Sequence, residues 1–171
     1  SQLITRHLDI EARRLKAKGQ GYYTIASSGH ETNVVFGKVF PYKDMAFLHY
    51  RSGAFMVQRS KQKNENNFIR DVLLSLMASK DDPVAAGRHK VFGSISLNVP
   101  PQTSTIASHL PKAVGVALSI MKAKELKISS TLAPDGVVLC SFGDASFNHA
   151  VAQTAFNTAQ WIAFHHHPLP L

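Results

Sequence analysis

The sequence has only one cysteine and no long apolar run, so it lacks the features of disulfide-bonded and membrane-spanning proteins. Cys140 is the single cysteine among 171 residues, so these residues form no internal disulfide and a reducing compartment is the default expectation. The longest apolar runs fall far short of the roughly 20 residues that a spanning helix needs. The N-terminal stretch is charged and helical in pattern, and it lacks the apolar centre of a signal peptide. We therefore expect no membrane segment.

Acidic residues are also scarce. The chain has 11 Asp and Glu against 19 Lys and Arg, which gives a net charge of +8. The basic residues are scattered rather than gathered in one stripe, so the charge permits nucleic-acid binding without indicating it. A phosphate-bearing cofactor or an acidic partner explains the charge as well. With 44% hydrophobic residues, no repeat and no low-complexity segment, the chain is expected to form one globular domain over 1–171.

The most informative stretch is 136–160, which is typical of strand, tight turn and helix. Residues 137–140 are apolar and β-branched without alternation, as in a strand covered on both faces. Residues 141–146 break this run, and apolar residues then return at helical spacing over 150–159. Such a turn binds anions, and Asp144 adds an oxygen ligand through which magnesium would bridge to a phosphate. The alternative is that Asp144 only caps the helix.

A second apolar run, 45–48, predicts another buried strand. Tyr50 and Arg51 follow its carboxyl end, where ligands collect in open α/β sheets. An arginine there clamps phosphate oxygens, and a tyrosine hydroxyl donates to another. The alternative is a surface arginine beside a half-buried tyrosine. Together the two strands predict an α/β fold.

Other patterns predict the connecting elements. Helices are expected over 3–18, 54–59, 68–79 and 107–127, with Pro111 in the first turn of the last one. Ser28 and Glu31 have the spacing of a capping box at the start of a helix that stops at Pro41. A short extended piece is expected over 22–25. The glycine- and proline-rich segment 85–102, locally basic at 88–90, is expected to be irregular.

Four segments in order resemble the α-subunit, or the α-like half of a fused chain, of the thiamine diphosphate-dependent decarboxylating component of 2-oxo-acid dehydrogenase complexes. The segments are HYRSGAFM, DDPVAAGRHK, PPQTSTIASHLPKAVGVAL and VVLCSFGDASFNHAVAQTAFNTA. The similarity runs from about residue 19 to the end. It implies a Rossmann-like three-layer fold with a parallel central sheet, of which this chain would be a C-terminally incomplete part.

The resemblance implies roles for matching positions. Tyr50 and Arg51 would bind the cofactor diphosphate, while Ser104 and Ile106 would touch the aminopyrimidine ring. Asp144 would be a magnesium ligand, flanked on its turn by three further cofactor-binding residues. These three are Gly143, Ala145 and Ser146.

This chain departs from the family pattern at several points. Ala145 stands where the family has a second glycine, and alanine fits only if its φ is negative. The family's magnesium-binding asparagine and its catalytic histidines would lie beyond Leu171, so no catalytic residue is assigned here. Some relatives hold a structural potassium ion at the positions that match Thr103, Ser108 and His109. Those relatives carry an amide side chain where His109 stands, so potassium binding is left open.

The implied activity is oxidative decarboxylation of a 2-oxo acid with acyl transfer to a lipoyl group. The implied partners are a β-subunit or β-like half and a lipoyl-bearing acyltransferase, in an oligomer without nucleic acid. The implied location is the bacterial cytoplasm, or the mitochondrial matrix in a eukaryote, and the isolated chain is expected to be inactive. Two alternatives stay open: another thiamine diphosphate enzyme, acetoin-cleaving or transketolase-like, and a non-catalytic basic module that binds nucleic acid.

Overall fold

The computed structural model describes residues 1–22, 26–65, 67–88 and 91–171. These residues form a mixed α/β structure with a small parallel sheet of two strands, which confirms the α/β class. The helices are α1 (Gln2–Ala17), α2 (Val34–Val39), α3 (Gly53–Gln62), α4 (Phe68–Leu76), α5 (Leu110–Leu126) and α6 (Ala150–Phe164). The strands are β1 (Ala46–Phe47), β2 (Val91–Ser94), β3 (Val99–Thr103) and β4 (Leu139–Cys140). None of the helices in the described ranges is long and apolar enough to cross a membrane.

The chain divides into two compact units. The first comprises 1–42, 50–97 and 101–104, and the second comprises 43–49, 98–100 and 105–171. The predicted cofactor domain over 1–171 stays a prediction.

Helix α3 is the centre of the first unit. It packs against α1, α2 and α4, and its first turns are buried at 54–57. The apolar residues of these first turns are consecutive rather than confined to one face, as expected where a helix is covered on several sides. Helix α2 approaches α3 closely, because a Cβ added to Gly37 would lie 2.8 Å from the carbonyl oxygen of Phe55.

The second unit is built on the parallel pair of β1 and β4. Ala46 lies opposite Leu139, and Phe47 lies opposite Cys140. Helix α5 packs on both strands and on α6, and its buried residues include Ala113 and Ala117. Burial raises the pKa of Cys140 to about 12, so this thiol stays protonated at neutral pH and packs as a small apolar group.

Several local predictions need correction. Segment 85–102 is not irregular throughout, because β2 and β3 form a second two-stranded sheet there. Helix α5 begins at Leu110 rather than 107, since Ala107 has φ of 60°, although Pro111 does lie in its first turn. The capping box is absent: the Glu31 carboxylate accepts from the Gly29 N–H, and Ser28 donates to Asp9. Most of the predicted extended piece, residues 23–25, and residues 89–90 of the predicted basic stretch lie outside the described residues.

Candidate functional site

The carboxyl ends of β1 and β4 lie at the same edge of the parallel sheet. Hydrogen bonds continue the pairing past the strands. The Ser141 N–H donates to the Phe47 carbonyl at 2.8 Å, and the His49 N–H donates to Ser141 Oγ at 3.1 Å. The turn that contains Asp144 follows β4, and the Tyr50–Arg51 dipeptide follows β1 along the chain. In open α/β sheets this edge is where ligands bind.

The turn after β4 leaves Asp144 available to a ligand. Residues Asp144–Ser146 form a 3-10 helix, and Asp144 itself is exposed. Its carboxylate makes no hydrogen bond or ion pair with any described residue. Helix α6 is capped instead by His149, whose Nδ1 accepts from the Val151 N–H at 3.3 Å. The interpretation of Asp144 as the helix cap is therefore wrong.

The residues beside Asp144 explain why alanine is tolerated in this turn. Ala145 lies outside the left-handed region, so a side chain at this position causes no backbone strain. Gly143 also has an ordinary φ of −79°. A Cβ at position 143 would lie 3.3 Å from Nε2 of His49, so Gly143 makes room for that ring. Ser146, the last residue of this 3-10 helix, is buried.

His109 ties the start of α5 to the end of β4. Its Nε2 lies 2.8 Å from the Ser141 carbonyl oxygen, and because a carbonyl only accepts, Nε2 carries the proton. Burial lowers the pKa of His109, and nearby Lys112 lowers it further, while the bond to Ser141 opposes both effects. The ring is therefore neutral at physiological pH and acts as a donor in the second unit.

We expect His109 to make the protein sensitive to acid. Because the pKa of His109 is lower in the folded protein, the unfolded chain takes up a proton at a higher pH as the solution is acidified. The free energy of unfolding therefore falls as pH drops below about 6.5, by at most about 1.4 kcal/mol per pH unit. His109→Gln, whose amide is also a donor, should flatten the fall of Tm between pH 7 and pH 5. His7→Gln, at an exposed position, should keep the wild-type slope. Equal slopes in all three proteins would contradict the role of His109.

Tyr50 and Arg51 lie in the first unit. Both are half-buried, and the Arg51 guanidinium lies 5.7 Å from the centre of the Tyr50 ring. Arg51 Nη1 also donates to the Ala26 carbonyl at 2.5 Å. These contacts hold the guanidinium against the protein, whereas the half-buried Tyr50 agrees with both interpretations of the pair. Tyr50 and Ser104 line one cavity of about 590 Å³ within the first unit.

The predicted residues thus fall into two groups. Tyr50, Arg51 and Ser104 belong to the first unit, whereas Ile106 and the turn 143–146 belong to the second. Ile106 is 51% exposed, so its apolar side chain is open to contact. Sequence reasoning missed the bond from His109 to Ser141, since it linked His109 only to a potassium segment.

Of the predicted site residues, Asp144 offers the kind of side-chain ligand that magnesium binds. Asp144 supplies one hard oxygen ligand of the kind that magnesium prefers. Among the described ranges, no three acidic, histidine or cysteine side chains come together as a possible metal group. Asp144 is therefore one candidate ligand.

Comparisons with known proteins assign this chain to no family. No protein-family model matches the chain, and no curated protein matches it. Support for a function comes from the residues themselves and from the motifs described above.

Proposed function

We propose that this chain is the diphosphate- and magnesium-binding part of a thiamine diphosphate-dependent 2-oxo-acid dehydrogenase, with the Rossmann-like three-layer fold of such enzymes. The observation that carries the proposal is the parallel pair of β1 and β4. One strand leads along the chain to Tyr50 and Arg51, and the other leads to Asp144, whose carboxylate has no partner among the described residues. Asp144 therefore offers an oxygen ligand for magnesium after the carboxyl end of a parallel strand, and Arg51 offers a cation for a phosphate within the first unit.

Each residue would have a distinct task. Arg51, held by the Ala26 carbonyl and the Tyr50 ring, would bind phosphate oxygens. Asp144 would bind magnesium, and Ser104 and Ile106 would contact the ring part of the cofactor. When bound, thiamine diphosphate supplies the electron sink for loss of carbon dioxide from a 2-oxo acid. The residues of this chain would position that group.

The proposal also covers the assembly. The partners would be a β-subunit or β-like half and a lipoyl-bearing acyltransferase that receives the acyl group. The oligomer would lie in the bacterial cytoplasm, or in the mitochondrial matrix of a eukaryote.

Calorimetric titration with thiamine diphosphate, with magnesium and then with a chelator, tests the proposal. The proposal places a second magnesium ligand past Leu171 and further cofactor contacts in the β-like half, so the titration uses a protein that includes both, and we expect magnesium-dependent binding to it. Arg51→Ala and Asp144→Asn should each weaken binding at least about tenfold, since a charge-assisted contact contributes roughly 1.5–3 kcal/mol. The Asp144 carboxylate makes no hydrogen bond or ion pair with the described residues, so Asp144→Asn should keep the wild-type Tm.

Asp135→Asn is the matched control. It removes the same charge from an exposed side chain that pairs with Lys43 in the second unit, and it should bind the cofactor like the wild type. Wild-type affinity in both site variants would contradict the assignment. So would the absence of magnesium-dependent binding to the folded protein that extends past Leu171 and includes the β-like half.

A further inference from the structure

The first unit contains a cavity large enough for a small molecule. Its volume of about 590 Å³ lies within the usual range of ligand sites, about 300–1,000 Å³. Helices α1 and α4 and strand β2 contribute its walls, which include apolar side chains such as Leu8, Phe68 and Val72. A molecule with an apolar body is therefore the kind of occupant that this cavity favours.

The charges that line the cavity are mostly negative. Among the described residues, the lining includes four carboxylates, those of Asp9, Glu65, Asp71 and Asp82, and one guanidinium, that of Arg70. The chain as a whole has a net charge of +8, so the cavity differs in sign from the rest of the protein. Such a concentration of one charge favours a ligand of the opposite sign.

Asp82 carries a buried oxygen that has no partner among the described residues. The residue is only 4% exposed. Its Oδ1 accepts from the Val84 N–H at 2.9 Å, whereas its Oδ2 has no hydrogen-bond partner in the described part of the chain. A buried carboxylate oxygen without a donor is costly. A ligand N–H group in the cavity would remove that cost.

Two other carboxylates share this environment. Glu65 Oε1 accepts from Ser96 Oγ at 2.6 Å. Its Oε2 has no hydrogen bond to any described residue and lies 3.8 Å from the Lys63 ammonium. Burial raises the pKa of Asp71, and repulsion from Asp82 and Glu65 adds to this, against the opposing effect of Arg70. The carboxylates thus repel one another, and a bound cation would relieve the repulsion.

We propose that this cavity binds a small organic cation, a primary amine or amidine on an apolar or aromatic body, with its N–H groups directed to Asp82 Oδ2. The apolar walls would hold the body of the ligand and the carboxylates would hold its charge. Tyr50 and Ser104, which the cofactor proposal also uses, line the same cavity, but the amine proposal requires neither Asp144 nor magnesium and is tested without the cofactor.

The test uses tryptamine and benzamidine as probes, titrated into the full chain without magnesium or thiamine diphosphate. Indole-3-propionate, which has the same ring as tryptamine and a negative charge, is the matched probe. We expect tryptamine or benzamidine to bind with a Kd at least tenfold lower than that of indole-3-propionate. Asp82→Asn and Asp71→Asn should each weaken binding of the amine at least fivefold.

Asp135→Asn serves as the control, because it removes one negative charge from an exposed site in the second unit. It should leave amine binding unchanged. If a thermal melt shows that Asp82→Asn does not fold, the proposal is tested by Asp71→Asn and by the difference in Kd between the cationic probes and indole-3-propionate. The proposal is overturned if neither cation binds the wild type, if indole-3-propionate binds as tightly, or if the control weakens binding as much as the cavity variants.

Discussion

Arg59→Ala is expected to lower the free energy of unfolding by about 4 kcal/mol. Arg59 is completely buried in α3. Its two terminal nitrogens donate to the carbonyls of Leu97 at 3.1 Å and Pro41 at 3.4 Å, and its guanidinium lies 4.6 Å from the centre of the Phe55 ring. Alanine would take the donors from both carbonyls and leave a cavity beside the ring, so two costs add together.

Denaturant unfolding of two further variants tests this explanation. Arg59→Lys keeps the charge but lacks the planar fork, so we expect a smaller loss of about 2 kcal/mol. Arg14→Ala removes an arginine that is 68% exposed and pairs with Glu11 on the helix surface, and it should change stability by less than about 0.5 kcal/mol. Similar losses in Arg59→Ala and Arg14→Ala would show that the buried contacts contribute little.

Gly37→Ala and Gly115→Ala are expected to change stability in opposite directions. A Cβ at Gly37 in α2 would meet the Phe55 carbonyl at 2.8 Å and Gln58 Cβ at 3.1 Å. The backbone of α3 cannot give way easily, so we expect a loss of about 2 kcal/mol. Gly115 in α5 has no atom within 4 Å of its added Cβ. Alanine there should add about 0.5–1 kcal/mol through helix propensity.

The same unfolding measurement serves both glycine variants. Each substitution adds one methyl group to a helix, so intrinsic helix propensity alone predicts a gain in both. The opposite sign at Gly37 would therefore come from packing between α2 and α3. A gain at both positions would mean that these helices are not in close contact in solution.

The helices were predicted well because their signal is local. The apolar spacing behind α1, α5 and α6 extends over three or more turns and depends on no distant residue. The runs at 45–48 and 137–140 predicted β1 and β4, although only two residues of each pair as strand. Strands β2 and β3 were missed because Pro100 and Pro101 in β3 are typical of loops, and an edge strand tolerates them.

The site was harder to predict because burial and contacts arise only on folding. The sequence around Asp144 is compatible with a helix cap, and only the structure assigns that task to His149. Asp82 precedes Pro83, a pattern typical of a helix end, and nothing in that pattern indicates a buried carboxylate oxygen. Arg59 belongs to a predicted helix, but no local pattern indicates that Arg59 lies on the buried face of that helix.

The small parallel sheet has consequences for how copies of this chain behave at high concentration. On the side of β1 away from β4, the Ala46 N–H donates to the Asn98 carbonyl. On the outer side of β4, the Val138 N–H donates to the Pro170 carbonyl at 2.8 Å. An intruding strand from a second copy would have to displace one of these segments before it could add to the sheet, and this obstacle protects against edge-to-edge aggregation.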